Sequence, residues 1–131
     1  MDKLIYPAIF HPEEVGGYSL YFPDLPGCVT EGDTLQEAIE MANDALGIYL
    51  YTLKQDKAVL PEASKPENLE VDKGDFVTCI EWDEMEYLKR TDSKAVNKTV
   101  TLPSWMNQKA EELRINFSKT LQEALMQKIN A

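Results

Sequence analysis

Asn97, Thr99 and Thr101, three polar residues at alternate positions, are the part of this 131-residue chain best suited to recognition chemistry. An asparagine side chain can bond an adenine edge through two atoms at once, while threonine offers a hydroxyl to base edges and a methyl to thymine. Alternation puts all three on one side of an extended strand, with Val100 and Leu102 on the other. The ordinary alternative is a polar strand that merely faces solvent, and the residues around it argue against that.

A second chemistry lies further along the chain. Asn116 suits a helix N-cap, and the amides of Phe117 and Ser118, the Ser118 hydroxyl and the positive end of the helix dipole could together hold a DNA phosphate. Lys98, within the polar strand, supplies a positive charge for the same backbone.

The elements that must position these groups are a strand over residues 97–102, a helix opening at Pro103, and a second helix. Met106, Ala110 and Leu113 recur at helical spacing beside Trp105, and Phe117, Leu121, Leu125 and Ile129 form a stripe spaced by four. A strand and two helices in about 35 residues lack the core to stand alone, and a lone strand leaves its backbone unpaired. The simplest partner is a second copy. Two such strands make an antiparallel ribbon that fits the DNA major groove, over an expected dimer core of Val100, Leu102, Trp105, Leu113, Phe117, Leu121 and Leu125.

Catalytic chemistry is poorly served. Asp24, Asp33, Glu37 and Asp44 could hold magnesium by count, but their spacing matches no metal motif. His11 is the only histidine and sits in a turn beside Pro12 with no nucleophile near it in sequence. Cys28 and Cys79 match no zinc or redox spacing and read as small buried hydrophobes of a reducing cytosol. No enzyme activity, metal or cofactor is expected.

Charge divides the chain. Up to Asp92 seven Lys/Arg stand against twenty Asp/Glu, a net of −13, and from Ser93 six stand against three, a net of +3, which together make the −10 of the whole. Only the tail has the sign for nucleic acid, whereas the acidic part should attract a basic partner. Nothing resembles a signal peptide or a membrane span, so a cytoplasmic protein is expected.

The first domain, residues 1–84, reads as α+β in the order three strands, one helix, one strand, followed by a linker over 85–96 and a small domain over 97–131. Strands are expected at 4–10, 18–22, 28–31 and 76–82, with Pro7 marking the first as an edge strand or one carrying a bulge. Pro26-Gly27 fits the centre of a type II turn. Thr34-Leu35-Gln36-Glu37 is a capping box, and Leu35, Ile39, Ala42, Leu46, Tyr49 and Leu53 suggest the buried stripe of its helix. A loop spans 54–75.

Residues 97–129 resemble a ribbon-helix-helix repressor domain, carried by Thr101-Leu102-Pro103 and by Ile115-Asn116-Phe117-Ser118. The resemblance places base reading on Asn97, Thr99 and Thr101 and phosphate clamping on Asn116, Phe117 and Ser118. Many members have glycine in the turn before the second helix, where Arg114 stands here. The N-terminal half resembles the HicB antitoxin domain, a partial ribonuclease-H-like fold, through Tyr6-Pro7-Ala8, the run from Tyr21 to Cys28, Thr30 to Thr34, and the helix from Glu37 to Leu46.

That resemblance implies an antitoxin that neutralises a HicA-type toxin, a small basic protein that cleaves messenger RNA, and that represses its own operon by binding operator DNA. From the matched loops, Glu13, Glu14, Tyr21, Asp24, Glu31 and Asp33 are expected near the toxin. The ribbon implies a homodimer, and pairing of the N-terminal domains as well would build a tetramer. The alternatives are a repressor whose first domain senses a small molecule, with Tyr6, Tyr18, Tyr21 and Trp82 lining a pocket, and, less favoured, a ribonuclease-H-like nuclease.

Overall fold

The unbroken apolar run from Leu4 to Phe10 makes β1 (Lys3–Pro12), the longest strand of the computed structural model, which describes residues 3–130. β2 (Tyr18–Tyr21) returns beside it, β3 (Val29–Gly32) follows, and β4 (Phe76–Asp83) arrives later, giving one antiparallel sheet in the order β3-β2-β1-β4. Helix α1 (Leu35–Gln55) packs against this sheet, and α2 (Glu84–Thr91) follows β4 directly. The chain separates into two units at Thr91 and Asp92; the second contains α3 (Ser104–Glu112) and α4 (Phe117–Ile129). The four-stranded sheet with its helix matches the expected α+β order.

Turn chemistry sets the strand connections. In the β1–β2 hairpin the Glu13 amide donates to Gly17 O and Gly16 to Glu13 O, with Gly16 and Gly17 both at positive φ. Gly17 has a second constraint, because a Cβ there would lie 2.7 Å from the Gly32 carbonyl. The turn at Pro26-Gly27 is type II as expected: Cys28 N donates to Leu25 O and Gly27 has φ +82°.

Pro7 departs from expectation. β1 is an interior strand, and its register with β4 runs unbroken from Lys3↔Asp83 to Phe10↔Phe76, without a bulge. Pro7 is tolerated because β2 pairs only with Ile9 to Pro12, so at Pro7 one side of the strand has no ladder to disrupt.

Thr34 caps α1 by accepting the Glu37 amide at 3.1 Å. The buried seam, however, is Ala38, Ala42, Leu46 and Leu50, and Leu35 and Ile39 are left largely exposed. Close approach decides this rotation. The backbone of Ala38 lies so near Gly32 that a Cβ on Gly32 would sit 2.4 Å from the Ala38 nitrogen, and only a small residue suits that contact. The seam covers Phe10, Phe22, Leu25 and Trp82, the large buried side chains of the first unit.

Residues 85–91, read as linker from sequence, lie within α2. Its anchor is Tyr87, which is buried over Gly47; a Cβ on Gly47 would lie 2.8 Å from two Tyr87 ring carbons. A mid-helix glycine costs α1 about 0.5–1 kcal/mol relative to alanine, offset here by the aromatic packing it admits. The Trp82 indole N–H has no conventional acceptor, and its ring meets Tyr87 edge-on at 6.0 Å. Lys54 pairs with Glu84 and lies over the Trp82 ring, and Arg90 pairs with Asp44 at 3.4 Å.

Cys28 is buried as expected, which raises its thiol pKa, but Cys79 is exposed. The period of two explains it. Ile80 and Trp82 face the core, so Cys79, one residue before Ile80, faces away with Glu81.

In the second unit α3 begins at Ser104, with Pro103 as its N-cap residue; the sequence reading placed Pro103 in the first turn. The turn before α4 contains the non-glycine at positive φ that the sequence raised. Arg114 has φ +55°, Ile115 N donates to Ala110 O and Arg114 N to Glu111 O, the bonding of a Schellman closure. A left-handed backbone strains a residue with a Cβ, so Arg114→Gly is expected to stabilise this unit by about 0.5–1 kcal/mol. A thermal melt checks the sign, and a lowered midpoint would contradict the strain.

Candidate functional site

Residues 97–102 are not assigned to a strand within the single chain. The strand expected there from the alternation is therefore absent among the described residues, where no other strand pairs with this segment. Asn97, Lys98, Thr99 and Thr101 are exposed. At the start of α4, Asn116 Oδ1 accepts the Lys119 amide at 3.0 Å, and its own carbonyl accepts Thr120 N. No bond within the described residues is made by the amides of Phe117 and Ser118, which belong to the first turn of a 13-residue helix. Lys119 adds positive charge to that turn.

The same unit exposes its apolar residues. Trp105 is 69% and Leu113 63% exposed, and Val100, Leu102, Phe117, Leu121 and Leu125 are also among the exposed large hydrophobics. Neither α3 nor α4 has a buried residue. An apolar stripe of this extent marks an interaction surface.

In the first unit the residues nominated from the loops separate into groups. Tyr21 projects from the end of β2, opposite Val29, and is 47% exposed. Glu31 stands opposite Ser19, whose hydroxyl donates to Glu13 at 2.7 Å, so these three lie together. Glu14 is exposed in the hairpin turn, and Asp33 is exposed just before the α1 cap. Asp24 is used internally: its two carboxylate oxygens accept the Ser64 amide at 2.8 Å and the Ser64 hydroxyl at 2.5 Å, tethering the long loop. Nothing in the spacing of Asp24 and Ser64 could have revealed that pair.

The groups considered for catalysis are not gathered. Asp24 holds Ser64, Asp44 pairs with Arg90, and the Glu37 backbone completes the helix cap. Among the described residues no cluster of three or more His, Cys, Asp or Glu is placed to hold a metal. His11 bonds Asp75 through Nδ1 at 2.6 Å; that bond, the Asp75 charge, and more weakly Glu13 and Asp72 raise its pKa. The interaction ties the end of β1 to the start of β4. No helix of the described residues is long and apolar enough to cross a membrane.

The aromatic residues considered for a sensing pocket are mostly spent in packing. Tyr6 and Trp82 are buried core, Tyr6 donates its hydroxyl to Pro61 O, and Tyr18 meets Phe76 edge-on at 6.0 Å. Burial, followed by the Asp24 charge, raises the Tyr6 pKa.

Comparison with known proteins gives this arrangement a context. "Antitoxin HicB 1" of Photorhabdus laumondii subsp. laumondii is 47% identical over 63 residues, which is 47% of this chain and 41% of that relative. The chain from the "Toxin-Antitoxin complex from Streptococcus pneumoniae" superposes with a TM-score of 0.62 at 26% identity, over 97% of this chain and 99% of that one. One from the "HicA3 and HicB3 toxin-antitoxin complex" has a TM-score of 0.52 at 27% identity, over 61% of this chain and 99% of that one. The family described as "HicB_like antitoxin of bacterial toxin-antitoxin system" matches residues 6–129, from the first core strand to the end of α4. The match takes in nearly all of both units, and the chain therefore belongs to the HicB-like antitoxin family.

Proposed function

We propose that this protein is the antitoxin of a toxin–antitoxin pair, whose first unit binds and neutralises a small basic, mRNA-cleaving HicA-type toxin and whose second unit represses the operon. The observation that carries this reading is membership of the HicB-like antitoxin family over residues 6–129. The net charge of −13 up to Asp92 agrees with it, since an acidic surface attracts a basic toxin and competes with its RNA phosphates. In this reading the partial ribonuclease-H-like arrangement is a binding scaffold without catalysis.

The second unit is proposed to dimerise as a ribbon-helix-helix domain. Pairing residues 97–102 between two copies satisfies the strand, and the two α3–α4 hairpins cover the exposed apolar stripe. The ribbon then presents Asn97, Thr99 and Thr101 to bases in the major groove, while Lys98 and the start of α4 at Asn116, Phe117 and Ser118 hold flanking phosphates.

A fragment ending at Asp92 tests the division of labour. It is expected to restore growth to cells expressing the toxin and to leave operator DNA unshifted at low salt. Retardation of operator DNA by the fragment would sink the division, and failure of the full-length protein to restore growth would sink the antitoxin reading.

A further inference from the structure

β3 is an edge strand whose outer side is open. The Phe22 amide donates to Cys28 O at 3.1 Å, which sets the phase of the β2–β3 ladder. Bonded pairs alternate in an antiparallel ladder, so Leu20↔Thr30 and Tyr18↔Gly32 are the bonded pairs, and the N–H and C=O groups of Val29 and Glu31 point away from the sheet. No bond among the described residues uses them. The opposite edge is capped at one point. On β4 the Glu81 carbonyl accepts the Asn43 side-chain amide at 2.6 Å.

The open edge borders a groove lined by His11, Ser19, Tyr21, Val29, Glu31 and Met41. Its two ends differ in character. Val29 is 65% exposed beside Tyr21 and Met41, making one end apolar. Glu31, beside Ser19 with its bonded Glu13, makes the other end acidic.

We infer that the outer edge of β3 accepts an extended strand from a basic protein, which adds to the sheet as a fifth strand and is, on the antitoxin reading above, the toxin itself. Backbone bonds to Val29 and Glu31 supply the pairing, an apolar side chain of the incoming strand covers Tyr21 and Val29, and a cationic one meets Glu31 and Glu13. Charge selects this occupant over a second copy of the chain. Symmetric pairing at β3 would bring together two units that each carry a net charge of −13 up to Asp92, whereas a basic strand is attracted to the same edge.

The test uses the full-length protein and a catalytically disabled HicA-type toxin as probe. By amide hydrogen exchange, Val29 and Glu31 are expected to exchange freely in the antitoxin alone and to become protected when the toxin binds. Glu31→Pro, which removes an outward N–H and leaves the inner ladder bonds intact, is expected to weaken toxin affinity about tenfold or more at unchanged operator affinity. Glu31→Ala separates the loss of the carboxylate from the loss of the amide and is expected to weaken affinity less. Toxin binding that leaves both amides unprotected overturns the edge assignment while the antitoxin reading stands. Protection already present without toxin assigns the edge to self-pairing and overturns it as well. Absence of any toxin binding by the parent protein removes both readings.

Discussion

With Leu121 and Leu125 both replaced by aspartate, the full-length protein is expected to lose its C-terminal dimer and with it all detectable operator binding, while toxin neutralisation persists. Both leucines lie on the α4 stripe with Phe117 and Ile129, and all four are exposed in the single chain. Covering a leucine stabilises an interface by about 1.5–3 kcal/mol, and each dimer would lose four of them. Unpaired carboxylates buried in their place add a further penalty. On the proposed ribbon-helix-helix reading the strand forms only when two copies pair, so dissociation would remove the DNA site altogether. Sedimentation velocity and a gel shift read the two consequences separately. A variant that still sediments as the parent does, and still shifts the operator, would refute a dimer built on α4.

The second large effect belongs to the ribbon itself. Thr99→Ala combined with Thr101→Ala is expected to reduce operator affinity by at least about a hundredfold, each lost base contact being worth about 1–3 kcal/mol. Nonspecific DNA binding and its salt dependence should change little, because neither threonine carries charge. Lys98→Ala provides the contrast: it should weaken binding to all sequences alike and flatten the salt dependence. Dimerisation should survive in both variants, since in the proposed ribbon Val100 and Leu102 occupy the other face of the strand. Operator affinity left unchanged by the double threonine variant would refute base reading by this face.

The elements expected from sequence are largely present in the first unit, and the reasons are local. Thr34 caps α1, Pro26 and Gly27 form the type II turn, and four strands appear within a few residues of their expected positions. In the second unit Asn116 caps α4 as its type and position suggested. Each of these depends on residues within about one helical turn or one hairpin of each other. Helix α2 was harder to see, because Glu84–Thr91 is polar apart from Met85, Tyr87 and Leu88, and the single buried tyrosine gives no periodicity.

Other features depended on partners far away in the chain. The large apolar residues of α1 suggested a stripe through Leu35 and Ile39, yet the buried seam follows Ala38 and Gly47, chosen by how closely Gly32 and Tyr87 approach the helix. Asp24 looked like an interface acid and holds Ser64, and His11 looked isolated and bonds Asp75. Strand order has the same origin: placing β1 in the interior, with Pro7 beside β4 alone, follows from the return of β4 after a long loop.

By itself, then, the sequence determined the kinds of element, their order, the caps and turns, the division of charge, and a C-terminal segment whose apolar faces cannot be satisfied within its own length. Tertiary structure decided which helix face is buried, which carboxylates are occupied internally, and that the outer edge of β3 carries open backbone near apolar and acidic side chains. Period and turn chemistry act between neighbours along the chain, where sequence can be read directly. Burial and edge exposure arise between residues that only the fold brings into contact.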